Sequence, residues 1–130
     1  MTRRAVMMCL ALGLVVPCLS LANEAEAHHS NAMYDVTREV TIVGTVQGFQ
    51  WANPHSWFQL RTKDVNGKVS EWSIEAASPP LLARFGWTPR SLKVGDKVEA
   101  VVHPLKNGQS GGSLIKATVN GQVIGATIVN

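Results

Sequence analysis

The chain has 130 residues and a formal charge of +3, enough sequence for one domain with a single modest core. Its cations are scattered from Arg38 and Arg61 to Lys97 and Lys116 with no block of like charge, which argues against nucleic acid as a partner because that needs a concentrated basic face. Both cysteines, Cys9 and Cys18, lie near the amino terminus, so the rest of the chain has neither a disulfide nor a thiolate metal site.

Arg3 and Arg4 form a positive segment, residues 5–16 an apolar one, and Pro17 breaks it ahead of small residues. This is the anatomy of a secretory signal peptide. An apolar run of about a dozen residues is short for a bilayer, so no stable membrane span is expected in the mature form. Ser20-Leu21-Ala22 and Ala25-Glu26-Ala27 are the competing cleavage sites. Cleavage after Ala27 makes residues 1–27 the signal and 28–130 a single mature domain, periplasmic or secreted, that begins at His28. Twin-arginine and lipoprotein routes fit less well, given Ala-Val-Met-Met after the arginines and Pro17 before Cys18.

Residues 28–38 are polar with no sustained period and read as an arm, pinned to the body by Tyr34 and Met33. The following stretch, rich in β-branched residues, predicts a strand with Val40, Ile42, Gly44 and Val46 on its inner face. Gly44 and Gly48 suit a bulge or strong coiling, as in a strand wrapping a small barrel. Asn53-Pro54 then makes a bend.

Residues 56–63 alternate with Phe58 and Leu60 inward, and Asn66-Gly67 supplies a tight hairpin turn. Residues 69–77 return with Trp72, Ile74 and Ala76 inward and Glu71, Ser73 and Glu75 facing solvent. A short helix follows, capped by Ser78, started by Pro79-Pro80, carrying the stripe Leu81-Leu82-Phe85 and stopped by Gly86. Residues 97–103 form a strand with Val98, Ala100 and Val102 inside, closed by Pro104. Residues 107–112, NGQSGG, read as a flexible loop, and residues 113–129 as a last hairpin turning at Asn120-Gly121.

This order predicts an all-β fold with one short helix: a small OB-like, partly open barrel of five to six strands, its helix plugging one end. A β-sandwich is the alternative, and the mid-chain helix argues against it.

Several motifs stand out together: His28-His29-Ser30, Gly44-Thr45-Val46, Trp51-Ala52-Asn53-Pro54-His55-Ser56-Trp57, Trp72-Ser73-Ile74-Glu75, the segment from Ser78 to Trp87, and Leu92-Lys93-Val94-Gly95-Asp96. In these the chain resembles a family of small exported bacterial proteins classed as a domain of unknown function. The resemblance covers residues 28–116 and implies an exported OB-like domain. It brings no established activity or ligand.

The four histidines of the chain, His28, His29, His55 and His103, are the candidate metal ligands. Imidazole binds copper, nickel and zinc, and a terminal amine on His28 would close a chelate ring with its own Nδ1, which favours copper(II). The competing reading makes His28 and His29 a solvated terminus and His55 a hydrogen-bonding residue of the bend. Trp51, Asn53, His55 and Trp57 form a second candidate, an edge for a periplasmic protein, a small ligand or an oligosaccharide. Against it, the four tryptophans are the large residues that fill a small barrel and its rim. No catalytic triad, phosphate loop or zinc-hydrolase motif is present in the sequence. Glu71 and Glu75 have the spacing of ordinary solvent-facing strand positions, so the expectation is a binding module without turnover, holding copper through the terminal histidine.

Overall fold

A computed structural model describes residues 32–124. The strands are β1 (Val40–Gln50), β2 (Trp57–Lys63) and β3 (Val69–Glu75), then helix α1 (Pro79–Arg84), then β4 (Lys97–Pro104), β5 (Gly111–Val119) and β6 (Gln122–Ile124). Neighbours run β3-β2-β1-β4-β5-β6, and a parallel pairing of β3 with β5 closes the first five into a barrel. β6 lies outside that closure. The predicted all-β barrel with one short helix is the fold observed, and the last residues assigned to the terminal hairpin lie outside the described ones.

β1 organises the barrel because it pairs on both sides, with β4 from Val40 to Thr45 and with β2 from Gly44 to Gln50. Where the two pairings overlap, a side chain on Gly44 would put its Cβ 2.7 Å from the Arg61 carbonyl oxygen. Glycine there lets the partner backbone come close. A register shift between Val46 and Gly48 then bends the strand, as the glycine spacing predicts.

Strand alternation builds the interior. Ile42, Val46, Phe58, Leu60, Ile74, Val98, Ala100, Val102, Leu114 and Ala117 all lie in one buried cluster, and burial of such apolar surface is the dominant favourable term in folding. Helix α1 sets Leu82 into one end of this cluster, with Leu81 and Phe85 half-buried beside it. Ser78 occupies the position before the helix, yet its side chain makes no capping bond. Pro79 and Pro80 compensate in part, since neither has an N–H to satisfy. Gly86, at φ +83°, ends the helix as expected.

Two parts of the sequence reading are corrected. Gly111 and Gly112 are not loop but the start of β5, buried and paired with Ser73 and Ile74 of β3. The barrel closes through them because β-carbons there would strike the Leu105 side chain and, at Gly112, the His103 carbonyl oxygen and Val102. Glu75, expected to face solvent, is buried at 5% exposure, because the arm of residues 32–38 lies over the outside of the barrel at that point.

Candidate functional site

The site is built on the outer face. Ile74, Val102 and Leu114 point inward, so the residues beside them in sequence point outward. Register then aligns an outer row across four strands: Trp57 opposite Glu75, Glu75 opposite Ser113, and Ser113 opposite His103. His103 and Glu75 are thus two strand spacings apart, about 10 Å.

His55 enters from the bend that precedes β2. Past the cis Asn53–Pro54 peptide, the Ser56 N–H donates to the Ala77 carbonyl at 3.1 Å and the Ala76 N–H donates to the Ser56 carbonyl at 2.8 Å. These bonds extend the β2–β3 ladder by one step and bring His55 to the end of β3. There its Nδ1 meets Glu75 Oε1, with the imidazole side chain 32% exposed. A carboxylate accepts, so His55 carries its proton on Nδ1 and turns Nε2 away from Glu75.

The other Glu75 oxygen, Oε2, accepts from the Tyr34 hydroxyl. Tyr34 is the anchor of the arm at 3% exposure, whereas Met33 is 46% exposed and pins little. Burial pushes the Tyr34 phenol above its ordinary range, and the hydrogen bond to Glu75 and the glutamate's charge act in the same direction. Backbone ties fix the arm alongside: Asp35 N–H to the Pro104 carbonyl at 2.9 Å, Lys106 N–H to the Met33 carbonyl at 2.9 Å, and a β-bridge between Tyr34 and Leu105. Lys106 Nζ adds a bond to the Ala32 carbonyl at 2.8 Å.

His103 Nδ1 lies 2.8 Å from the Arg38 carbonyl oxygen. A carbonyl cannot donate, so His103 also holds its proton on Nδ1 and leaves Nε2 as the ring's acceptor. Two of the four predicted metal-binding histidines therefore share this face of the barrel with the same ring nitrogen available. His28 and His29 lie outside the described residues. Among those residues no group of three His, Cys, Asp or Glu side chains gathers to hold a metal, and no helix is long and apolar enough to cross a membrane.

The tryptophan edge divides. Trp51 is half-buried and packs edge-on against Phe49, ring centroids 6.0 Å apart, while Phe49 leans on buried Trp87 at 6.2 Å. Trp57 is half-buried on the outer row beside Glu75, and Asn53 is exposed at the tip of the bend. Sequence reasoning expected Tyr34 to pin the arm but missed Glu75, the carboxylate to which its hydroxyl donates. Alternation along β3 gives no signal of it, because only the β2–β3 pairing brings Glu75 to the bend that carries His55.

Among solved structures the chain is similar to the crystal structure of the mitochondrial single-stranded DNA binding protein Rim1 from S. cerevisiae. The TM-score is 0.50 at 10% identity, with 64% of this chain and 93% of that one covered. That likeness shows the fold alone, an OB-like barrel. No curated protein matches the chain. The model of one family of unknown function, DUF6152, matches residues 15–115.

Proposed function

Since the chain belongs to this family of unknown function, its role has to be read from its own residues, and we propose an exported OB-like module that binds copper(II) through His55 and an amino-terminal His28. The observation that carries the reading is the seating of His55 on buried Glu75. Metal-binding imidazoles almost always donate their second nitrogen to a carboxylate or carbonyl, which fixes the ring and raises the basicity of the ligating nitrogen. His103 on the Arg38 carbonyl has the same arrangement and is the further candidate.

The remaining ligands come from the segment ahead of the arm. His28 is six residues before Tyr34 and His29 five, a contour of roughly 20 Å at most, so both are within reach of the outer row. Cleavage after Ala27 would free the His28 amine, and amine plus imidazole nitrogens is a donor set on which copper(II) heads the divalent series.

The test is a copper(II) titration of protein beginning at His28, against one carrying a single extra residue before it and against His55→Ala and His103→Ala. One ion per chain is expected. The extension should cost more affinity than His103→Ala, and His55→Ala should remove a nitrogen from the copper spectrum. Binding should also weaken as pH falls from about 8 to 6, where amine and imidazole take up protons. Equal affinity for native and extended proteins would eliminate the terminal chelate. An intact mass from the periplasm that does not begin at His28 would do the same. If copper is not bound at all, the reading that stands is docking of a protein or small ligand on the Trp51 to Trp57 edge.

A further inference from the structure

We infer that the cleft between the segment preceding β4 and the β5–β6 turn is a binding site for a small organic anion, whose carboxylate or phosphate is held by Arg90 and Lys93. The inference is independent of the copper reading and uses none of its residues.

The cleft has a volume of about 250 Å³, a little below the roughly 300–1,000 Å³ of most small-molecule sites, so its ligand is small. Arg90 and Lys93, three positions apart between α1 and β4, line it together with Asn120 and Gln122 from the β5–β6 turn. Both cations are exposed, and among the described residues neither side chain makes a hydrogen bond or an ion pair. Asp96 is the carboxylate in the lining. Its Oδ1 accepts from the Asn120 side-chain amide at 3.1 Å and its Oδ2 from the Lys93 N–H at 2.9 Å. It offsets one of the two positive charges, and the cleft stays net positive. A concave surface with one sign of charge in excess concentrates ions of the other.

The backbone carrying these groups is tied down. Thr88 Oγ1 accepts from the Arg90 N–H at 3.1 Å, Ser91 Oγ from the Thr88 N–H at 2.8 Å, and the Lys93 carbonyl from the Asp96 N–H at 3.0 Å. On the β5–β6 turn, the Asn120 N–H donates to the Lys97 carbonyl at 2.9 Å and the Lys97 N–H to Asn120 Oδ1 at 3.1 Å. Ordering on binding is therefore confined mainly to the side chains of Arg90 and Lys93, which limits its cost.

The lining also says what kind of anion fits. A guanidinium fork matches a carboxylate or phosphate with two parallel bonds, and a lysine adds a point charge. Asn120 spends one amide hydrogen on Asp96 and has a second to donate. Buried Val119 and half-buried Ile124 supply an apolar part. A charged head on a short carbon frame uses both parts, whereas an inorganic ion uses one.

The test is a titration of protein beginning at His28 with succinate, glycerol 3-phosphate and inorganic phosphate in turn, followed by amide chemical shifts. Salt at about 0.15 M screens diffuse attraction to exposed charges. Saturable shifts concentrated at residues 90–96 and 119–124 are expected, with at least one organic anion bound more tightly than inorganic phosphate. The tighter of the two identifies the head group. Arg90→Gln and Lys93→Gln should each lower that affinity about tenfold, the scale of a hydrogen bond to a charged group, and leave the urea midpoint unchanged. Arg61→Gln, which removes a cation from β2 outside the cleft, should leave binding as it was. Shifts that spread over the basic residues without saturating would overturn the inference, as would native affinity in Arg90→Gln and Lys93→Gln or inorganic phosphate binding as tightly as both organic anions.

Discussion

Gly112→Ala should destabilise the protein by about 1–3 kcal/mol, the cost of forcing extra atoms into a packed interior, and Gly112→Val should cost more. The alanine Cβ would fall 2.7 Å from the His103 carbonyl oxygen and 2.7 and 2.9 Å from Val102 side-chain atoms. Val102 is fully buried and cannot retreat, and the carbonyl belongs to the backbone of β4, paired there with β5. Something in the closure must open. Gly111→Ala is the milder comparison, because its closest contact, also at 2.7 Å, is the end of the Leu105 side chain, which can rotate aside, leaving the Ser73 carbonyl oxygen at 3.2 Å to give slightly. Urea denaturation of the two variants should separate them clearly. Equal losses would mean that β4 approaches β5 less closely at Gly112 than these distances imply.

Ile74→Ala should cost about 2–5 kcal/mol, the range for removing most of a buried aliphatic side chain. Ile74 is fully buried, lies opposite Phe58 on one side and Gly112 on the other, and so sits at the seam of the barrel. A domain of this size is stable by about 5–15 kcal/mol in all, which makes this a large share. The urea midpoint should fall with little change in slope, the mark of lost stability rather than a changed denatured state. A loss of a few tenths would mean that the inner face of β3 is wrongly assigned.

The inner face was legible from alternation alone. Phe58 and Leu60 in β2, and Val98, Ala100 and Val102 in β4, are buried where period-two reasoning puts them. Turn chemistry was legible as well: Gly67 takes positive φ at the predicted hairpin turn, and Asn120 with Gly121 does so before β6. What alternation cannot report is whether a second layer lies on the outer face. Glu75 follows the pattern of a solvent-facing residue and is nevertheless covered, because the arm crosses it from forty-one positions away. Gly111 and Gly112 have the composition of a loop, and only the close approach of β3 and β4 makes glycine a strand residue there.

The same limit applies to the site. His55 was legible as a functional candidate from the bend, but its carboxylate partner was not, since pairing across β2 and β3 decides it. Asp96 shows the milder case. Its carboxyl is held below the usual range first by the Asn120 side-chain amide and then by the Lys93 backbone N–H. It therefore locks the turn before β4 to the β5–β6 turn, a contact that a list of tight turns does not reveal.

The β2–β3 hairpin offers a use that follows from its position. Trp57 pairs with Glu75 at one end of these strands and Lys63 with Val69 at the other, a separation of roughly 20 Å along the strand axis. The tip is held by its own groups: the Asp64 carboxylate accepts from Asn66 and Lys68 N–H, both at 2.9 Å, and Val65 is fully exposed. An inserted reporter peptide or a dye on a cysteine introduced at Val65 would thus stand clear of the outer row while riding on a strand that ends in it. Insertion there should cost little, because lengthening an exposed turn adds only slowly to the entropy of closing it. With no cysteine after Cys18, such a label would be unique in a protein that begins at His28, making this hairpin the natural handle for testing the proposed copper binding in solution.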